Sequence, residues 1–127
     1  QEIINAIEIS PGHPLVLSGD MHSFWAIDAK DDPFLNDKTE LIEFVGSSVS
    51  ANWPEPLSKP VRTNLKKNRQ IKFYNGEKRG YFLHELNADT WVATAKGVLS
   101  TKDKKSKVLQ LAKFLVEKGK SGFQRIG

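Results

Sequence analysis

The stretch QIKFYNGEKRGYFLHELNADTWVATAKGVL, residues 70–99, constrains the fold most, because most of it alternates apolar and polar residues at the period of a β-strand. Two turn signals interrupt it: Asn75-Gly76, which is typical of hairpins, and the Asn-Ala-Asp run at 87–89. The pattern predicts a meander of three strands, near residues 70–74, 80–86 and 91–97.

Two further strands are predicted where short apolar runs end at glycine, near residues 14–19 and near 40–45. Continuous apolar runs of this kind are typical of strands buried on both faces. Residues 24–29 can resume as extended chain, and residues 29–39 are rich in Asp, Asn and Pro, which favours a loop.

Helical signals are weaker. Residues 1–10 place isoleucines at helical spacing up to a Pro-Gly pair, which predicts the tail of a helix. Residues 61–69 support a short helix, and the three prolines in residues 47–60 predict irregular chain there.

The tail KVLQLAKFLVEKG, residues 107–119, fits two structures. A helix would present one apolar face, made of Val108, Leu111, Ala112 and Leu115. A strand would place Ala112, Phe114 and Val116 on one side. Periodicity by itself predicts a helix, whereas the β-rich neighbourhood favours a strand in the C-terminal half. The expected fold class is therefore α/β and β-rich.

The composition is that of one ordinary globular domain. The chain has 127 residues, of which 39% are hydrophobic and 27% charged, and no apolar run is long enough for a membrane span. Cysteine is absent, so any metal site must use oxygen and nitrogen ligands. The net charge is +4, and basic runs at 66–72 and 101–107 raise the hypothesis of nucleic-acid binding. Because no aromatic platform is interleaved with these runs, solvated loops are the favoured interpretation.

Asp20 and His22 lie in LVLSGDMHSFW, directly after the first predicted strand. Side chains two apart on extended backbone point to the same side, so the pair faces one site if the strand direction persists through the turn. A carboxylate and an imidazole presented in this way suit a pair of metal ions. The same spacing also arises by chance, since Asp after Gly is common in turns, and the pattern leaves both interpretations open.

Other candidate residues are less specific. Ser47 and Ser48 follow an apolar strand and would suit contacts to a bound oxyanion, although an ordinary polar loop is the favoured interpretation. Trp25 and Trp53 would suit the rim of a pocket, or else the core. His13, in a Pro-Gly loop, and His84, within a strand, are weaker candidates for chemistry.

Four ordered segments carry a resemblance to a known family. These are LVLSGDMHSFWAIDAK, ELIEFVGSSVSA, IKFYNGEKRGYFLHELNADTWVATAKGV and FLVEKGKSGFQRIG, of which GDMHSFW, EFVGSS and RGY with the later Trp91 are the most specific. In order and spacing, residues 14–127 resemble the C-terminal part of the PhoD-like alkaline phosphatases (alkaline phosphatase D), which are calcineurin-like metallophosphatases.

The resemblance implies a fold and an activity. The fold would be the C-terminal half of a metallophosphatase β-sandwich flanked by helices. The activity would be phosphoric ester hydrolysis at a dinuclear centre of calcium and iron. Asp20 and His22 would each bind one ion. With a phosphate ester as the substrate, Ser47, Ser48 and Trp25 are the residues of this sequence that we expect to contact it. A periplasmic or secreted location is also implied.

The departure from the family is equally informative. Its upstream ligand clusters match nothing in this sequence, so we expect residues 1–127 to be a single partial domain whose N-terminal part is missing. The isolated chain is then expected to be inactive and to dimerise. The alternative from another class is a non-catalytic β-rich binding module, and nucleic-acid binding is the less favoured alternative.

Overall fold

The computed structural model of the chain describes residues 14–30, 39, 41–51, 55–65 and 67–127. Eight strands and one helix lie within these residues. In chain order they are β1 (Leu15–Ser18), β2 (Phe24–Ala29), β3 (Leu41–Val45), α1 (Glu55–Leu65), β4 (Ile71–Asn75), β5 (Arg79–Leu86), β6 (Thr90–Val98), β7 (Val108–Glu117) and β8 (Gln124–Arg125). The five predicted strands and the extended chain at 24–29 are confirmed, with no end shifted by more than one residue.

The strands form two four-stranded sheets. The first sheet has the order β1-β3-β2-β4, in which β1 runs parallel to β3 and the other pairs are antiparallel. The second sheet has the order β5-β6-β7-β8 and is antiparallel throughout. This architecture confirms the β-rich prediction. The flanking helices that were expected are not evident in the described part of the chain, where α1 is the one helix.

The turn at Asn75-Gly76 joins the two sheets, so the prediction of a hairpin there is wrong. β4 pairs with β2 in the first sheet, whereas β5 pairs with β6 in the second. The Asn75 side chain accepts hydrogen bonds from the backbone N–H groups of Glu77 and Lys78, at 3.0 and 2.8 Å. This side-chain turn changes the direction of the chain without pairing its flanking strands.

The hydrophobic core lies between the sheets. Its fully buried members are Phe24, Ala26, Ile42 and Phe44 from the first sheet and Ala93, Ala95, Ala112 and Phe114 from the second. The alanines of the second sheet leave room for the large rings opposite. The Phe44 ring centroid lies 5.4 Å from that of Phe82 and 5.7 Å from that of Phe114. Burying a phenylalanine in this way contributes about 2–3 kcal/mol to the free energy of folding.

His84 extends this aromatic layer and is held in one tautomer. Its Nδ1 accepts a hydrogen bond of 2.9 Å from Nε1–H of Trp91, and its ring lies 5.7 Å from those of Phe44 and Phe82. Burial lowers the pKa of His84, because the charged imidazolium would lose water without gaining a partner. The structure therefore places His84, half-buried, beside the aromatic core, where a neutral imidazole accepts the hydrogen bond.

We expect His84 to make the stability of the chain depend on pH. Its pKa in the folded state is below the ordinary histidine value of about 6.5, so the unfolded chain takes up the proton first as the pH falls. The contribution to stability is complete above about pH 6.5 and is lost as the pH falls toward the folded-state pKa. His84→Asn keeps an acceptor near Nδ1 but does not titrate. Melting temperatures from about pH 8 to pH 5 should fall more steeply for the wild type, whereas parallel curves would contradict this assignment.

The tail forms strand β7, so the prediction of a helix from periodicity is wrong. β7 pairs along its length with β6, from Val98 opposite Val108 to Thr90 opposite Glu117. The core side of the strand carries Ala112 and Phe114, as the alternative interpretation required. The register shifts between Ala95 and Lys96, and such a bulge interrupts strict alternation along the pair. Ladder pairing outweighs the modest helical preference of this segment.

The helix α1 begins earlier than predicted. It spans Glu55–Leu65, so residues 55–60 are helical despite their prolines. Pro56 occupies the first turn, where the N–H group that proline lacks would have no partner within the helix, and Pro60 removes one internal hydrogen bond. The Asn64 side chain donates to the Pro60 carbonyl at 3.0 Å.

Several predictions fall outside the described residues. They are the helix over residues 1–10, most of the loop at 29–39, His13 and Trp53. Within the described residues, no helix is long and apolar enough to cross a membrane.

Candidate functional site

The candidate site lies where two parallel strands end side by side. β1 and β3 run in the same direction, and Ser18 is opposite Val45 at their carboxyl ends. The Gly46 N–H group donates to the Ser18 carbonyl at 2.8 Å, which ties together the loops that follow. We name the first of these loops, residues 19–23, the DxH loop, and the second, residues 46–51, the serine loop. Loops at the carboxyl ends of parallel strands commonly form binding sites.

The DxH loop holds its two candidate ligands in unusual backbone conformations. Asp20 has a φ of 69° and His22 a φ of 51°, both in the left-handed region. The Met21 N–H group donates to the Gly19 carbonyl at 2.9 Å, a bond across Asp20 that forms a γ-turn. Each left-handed non-glycine residue costs about 1–2 kcal/mol, and such strain is concentrated at functional sites.

The extended-strand argument for this pair does not apply. β1 ends at Ser18, so Asp20 and His22 do not lie on a continued strand. They lie in a tight turn, and each has a left-handed backbone conformation. The Asp20 side chain is exposed and that of His22 is half-buried. Among the described residues, no group of three or more His, Cys, Asp or Glu side chains is close enough to hold a metal ion. The described chain therefore offers a pair of donors rather than a complete site.

The interior side of the DxH loop is fixed by neighbouring side chains. The Ser23 hydroxyl donates to the Met21 carbonyl at 3.0 Å and accepts from Nε1–H of Trp25 at 2.7 Å. Trp25 in turn packs against Tyr74, with ring centroids 4.5 Å apart. These contacts anchor the loop to the first sheet, so its shape is determined by buried residues.

Trp25 also borders an open cavity. The side chain is 8% exposed. The cavity has a volume of about 380 Å³. Its lining includes Ser18 at the end of β1 and, from the DxH loop, Gly19 and Met21. The structure thus places Trp25 beside a cavity adjoining the candidate ligands. A role in binding substrate stays a prediction.

The hydroxyls of the serine loop are engaged within the protein. Ser47 donates to the Lys78 carbonyl at 3.1 Å, and Ser48 donates to the Ala51 carbonyl. Gly80 donates its N–H group to the Ser48 carbonyl at 3.0 Å. Both serines therefore hold the loop against the start of β5, and their contact with a substrate oxyanion stays a prediction.

Gly80 is required where it is. A Cβ atom at this position would lie 1.9 Å from the Lys96 carbonyl oxygen, and its φ of 156° disfavours other residues. The absence of a side chain lets β5 approach β6 closely while the Gly80 N–H group reaches the serine loop.

Arg79 connects the loops of the site, and the motif analysis assigned it no role. Its side chain is 4% exposed, and Nη1 donates to the carbonyls of His22 and, at 3.1 Å, Ala51. Nη2 donates to the carbonyl of Gly76. Burial lowers the pKa of Arg79, although the nearby Tyr74 partly opposes this shift. The available signal was a lone arginine at the start of an apolar strand, directly before a glycine.

Comparisons with known proteins agree with this fold. The family model of the PhoD-like phosphatases matches residues 1–95. A solved structure described as "Structure of PhoD" matches with a TM-score of 0.78 and 23% sequence identity. That match covers 99% of this chain and 24% of the other, so this chain spans about a quarter of the PhoD chain it resembles. No curated protein sequence matches.

The two findings carry different weight. At 23% identity the structural match establishes the fold alone. The family model reaches further, since it covers 95 of the 127 residues and includes the DxH loop, the serine loop and Arg79. On that match, the chain belongs to the PhoD-like phosphatase family.

Proposed function

We propose that this chain supplies the metal-ligand loop of a phosphoric ester hydrolase with a dinuclear metal centre. Asp20 and His22 are the proposed ligands, one for each ion. The observation that carries the proposal is the position of the DxH loop. It lies within the segment matched by the phosphatase family model and follows a strand that runs parallel to its neighbour.

The chemistry of the donors fits a mixed pair of ions. An exposed carboxylate is a hard oxygen ligand of the kind that calcium prefers, and an imidazole suits iron. Calcium and iron, the ions implied by the resemblance to the PhoD-like phosphatases, are compatible with this donor pair and are the ions we propose. Two side chains cannot complete two coordination shells, so the other ligands must come from outside the described residues.

We further propose that an upstream part of the same domain provides those ligands. Among the described strands, β1 lies at the edge of the first sheet, and Leu17 on β1 is 52% exposed while Met21 in the DxH loop is 46% exposed. An edge strand with exposed apolar side chains suits pairing with a further strand. We call this chain together with that upstream part the intact protein.

Each residue has a separate role in the proposed reaction. When bound, two cations would acidify a water molecule and stabilise the charge that develops on the phosphoryl oxygens. Asp20 and His22 would hold the cations and would not transfer protons. The buried contacts of Ser23 and Arg79 would keep the DxH loop in its strained shape. The net charge of +4 would help to attract phosphorylated substrates.

Metal content separates this function from a non-catalytic β-rich binding module. We expect elemental analysis of the purified intact protein to find about two metal ions per chain, retained through gel filtration in metal-free buffer. A binding module would retain no stoichiometric metal. An intact, folded protein without bound metal would therefore contradict the proposal.

A further inference from the structure

The guanidinium group of Arg79 is bonded to three separate loops. Nη1 donates to the His22 carbonyl in the DxH loop and to the Ala51 carbonyl in the serine loop, at 3.1 Å for Ala51. The Ser48 hydroxyl oxygen also lies 3.5 Å from Nη1. Nη2 donates to the Gly76 carbonyl in the turn before β5. One buried side chain thus sets the separation of all three loops.

The bond to His22 acts on the strained part of the DxH loop. His22 is left-handed, and its carbonyl begins the peptide that returns the chain to β2. Arg79 fixes the direction of that carbonyl, while Ser23 and Trp25 hold the loop from the interior side. Because both sides are restrained, the imidazole of His22 starts from a defined backbone position.

Burial of the Arg79 guanidinium carries a cost in free energy, which indicates that its geometry is needed. Arg79 is 4% exposed, and its Nε atom has no hydrogen-bond partner among the described residues. Burying a guanidinium removes its hydration, and the same burial lowers its pKa. An apolar side chain would fill this volume without that penalty, but it would leave the three carbonyls without their donor. The loops therefore depend on the fork of donors that arginine provides.

We propose that Arg79 is a positioning residue that presents Asp20 and His22 to their metal ions by fixing the DxH loop against the serine loop. Arg79 does not ligate the ion and does not touch the reacting atoms. This inference rests on the proposed function, because it requires the DxH loop to bind metal.

Metal affinity in the intact protein tests the inference. We would titrate metal-depleted wild type, Arg79→Lys and Arg79→Met with calcium, and separately with ferrous iron, and measure the dissociation constants by calorimetry. We expect Arg79→Met to weaken binding by about 100-fold and Arg79→Lys by about 10-fold, since lysine keeps a charge but loses the fork. Arg62→Gln is the matched control, because Arg62 is an exposed arginine paired with Glu77. It should bind within about twofold of wild type.

A second readout separates positioning from a purely structural role. Melting temperatures are measured in chelator and in saturating calcium for each variant. A positioning role reduces the stabilisation that calcium adds, whereas a structural role lowers both melting temperatures equally. If Arg79→Met does not fold, Arg79→Lys carries the comparison.

The outcomes distinguish the two proposals. Weakened binding in Arg79→Lys with normal binding in Arg62→Gln supports the inference. If the wild type binds metal and Arg79→Lys binds it with the same affinity, the inference is overturned and the proposed function is left intact. Absence of metal binding in every variant, wild type included, overturns both.

Discussion

Asp20→Asn and His22→Asn are each expected to lower the phosphatase activity of the intact protein by about 100-fold or more. Asp20→Asn replaces a charged carboxylate with a neutral and weaker oxygen donor, and His22→Asn removes the ring nitrogen. Weakening a direct ligand should cost more than the 10- to 100-fold typical of residues that only support ligands. Asparagine is the substitution of choice because both positions have positive φ, which asparagine tolerates better than most residues. The measurement is the hydrolysis rate of a chromogenic phosphate ester with added calcium and iron.

The fold should survive both substitutions. Asp20 is exposed and His22 half-buried, and neither belongs to the core. We expect melting temperatures in chelator to stay within about 3 °C of the wild type. Asp89→Asn is a matched control: this exposed carboxylate lies in the turn after β5, at the opposite end of the strand from Arg79. Activities within about threefold of the wild type for both ligand variants would exclude the assignment.

The isolated 127-residue chain is expected to show no phosphatase activity above the background. Its described residues offer two neighbouring donors, whereas catalytic metal ions commonly need about three protein ligands each. Without further donors, neither ion would be held at a fixed position. The assay uses the same chromogenic ester, with calcium and iron added to the isolated chain and to its mixture with the upstream part.

Association should accompany this lack of activity. The position of β1 at the edge of the described part of the first sheet and the exposed side chains of Leu17 and Met21 favour pairing with another copy. Light scattering should therefore report dimers or larger species for the isolated chain. Activity that appears only on mixing would support the proposal of a shared site. Robust turnover by a monomer of the isolated chain would contradict it.

Local sequence signals predicted the strands well because the strands are short and bounded by turns. Apolar runs ending at Gly19 and Gly46 gave β1 and β3, and the alternation in residues 80–97 gave β5 and β6. Pairing partners were harder to predict. Asn75-Gly76 has the chemistry of a hairpin, yet the strands on either side belong to different sheets because β4 pairs with β2.

The tail and the helix show where local preference yields to context. β7 contains enough apolar residues on both faces to imitate a helical stripe, and only its ladder with β6 decides the outcome. The prolines at 56 and 60 favour irregular chain, yet both lie within α1, and the first of them occupies the first helical turn, where proline is compatible. Neither result follows from a single window of sequence.

The candidate site was only partly predictable. Asp20 and His22 are residue types that ligate metals, which the sequence shows. Their left-handed backbone conformations could not be predicted, because neither residue is a glycine. Arg79 lies 57 residues from His22 in the chain, and their contact depends on how the two sheets pack. Long-range contacts between a side chain and a backbone carbonyl leave no periodicity to detect, so the structure was needed to assign Arg79 its place.

The most direct measurement is an anomalous difference map from crystals of the intact protein grown with calcium and iron. Data collected at and below the iron edge would distinguish iron from calcium. We expect one ion at coordination distance from a carboxylate oxygen of Asp20 and another from a ring nitrogen of His22, at about 2.0–2.6 Å. Well-ordered metal peaks elsewhere in the molecule, with neither residue within about 5 Å of them, would contradict the assignment of Asp20 and His22 as metal ligands.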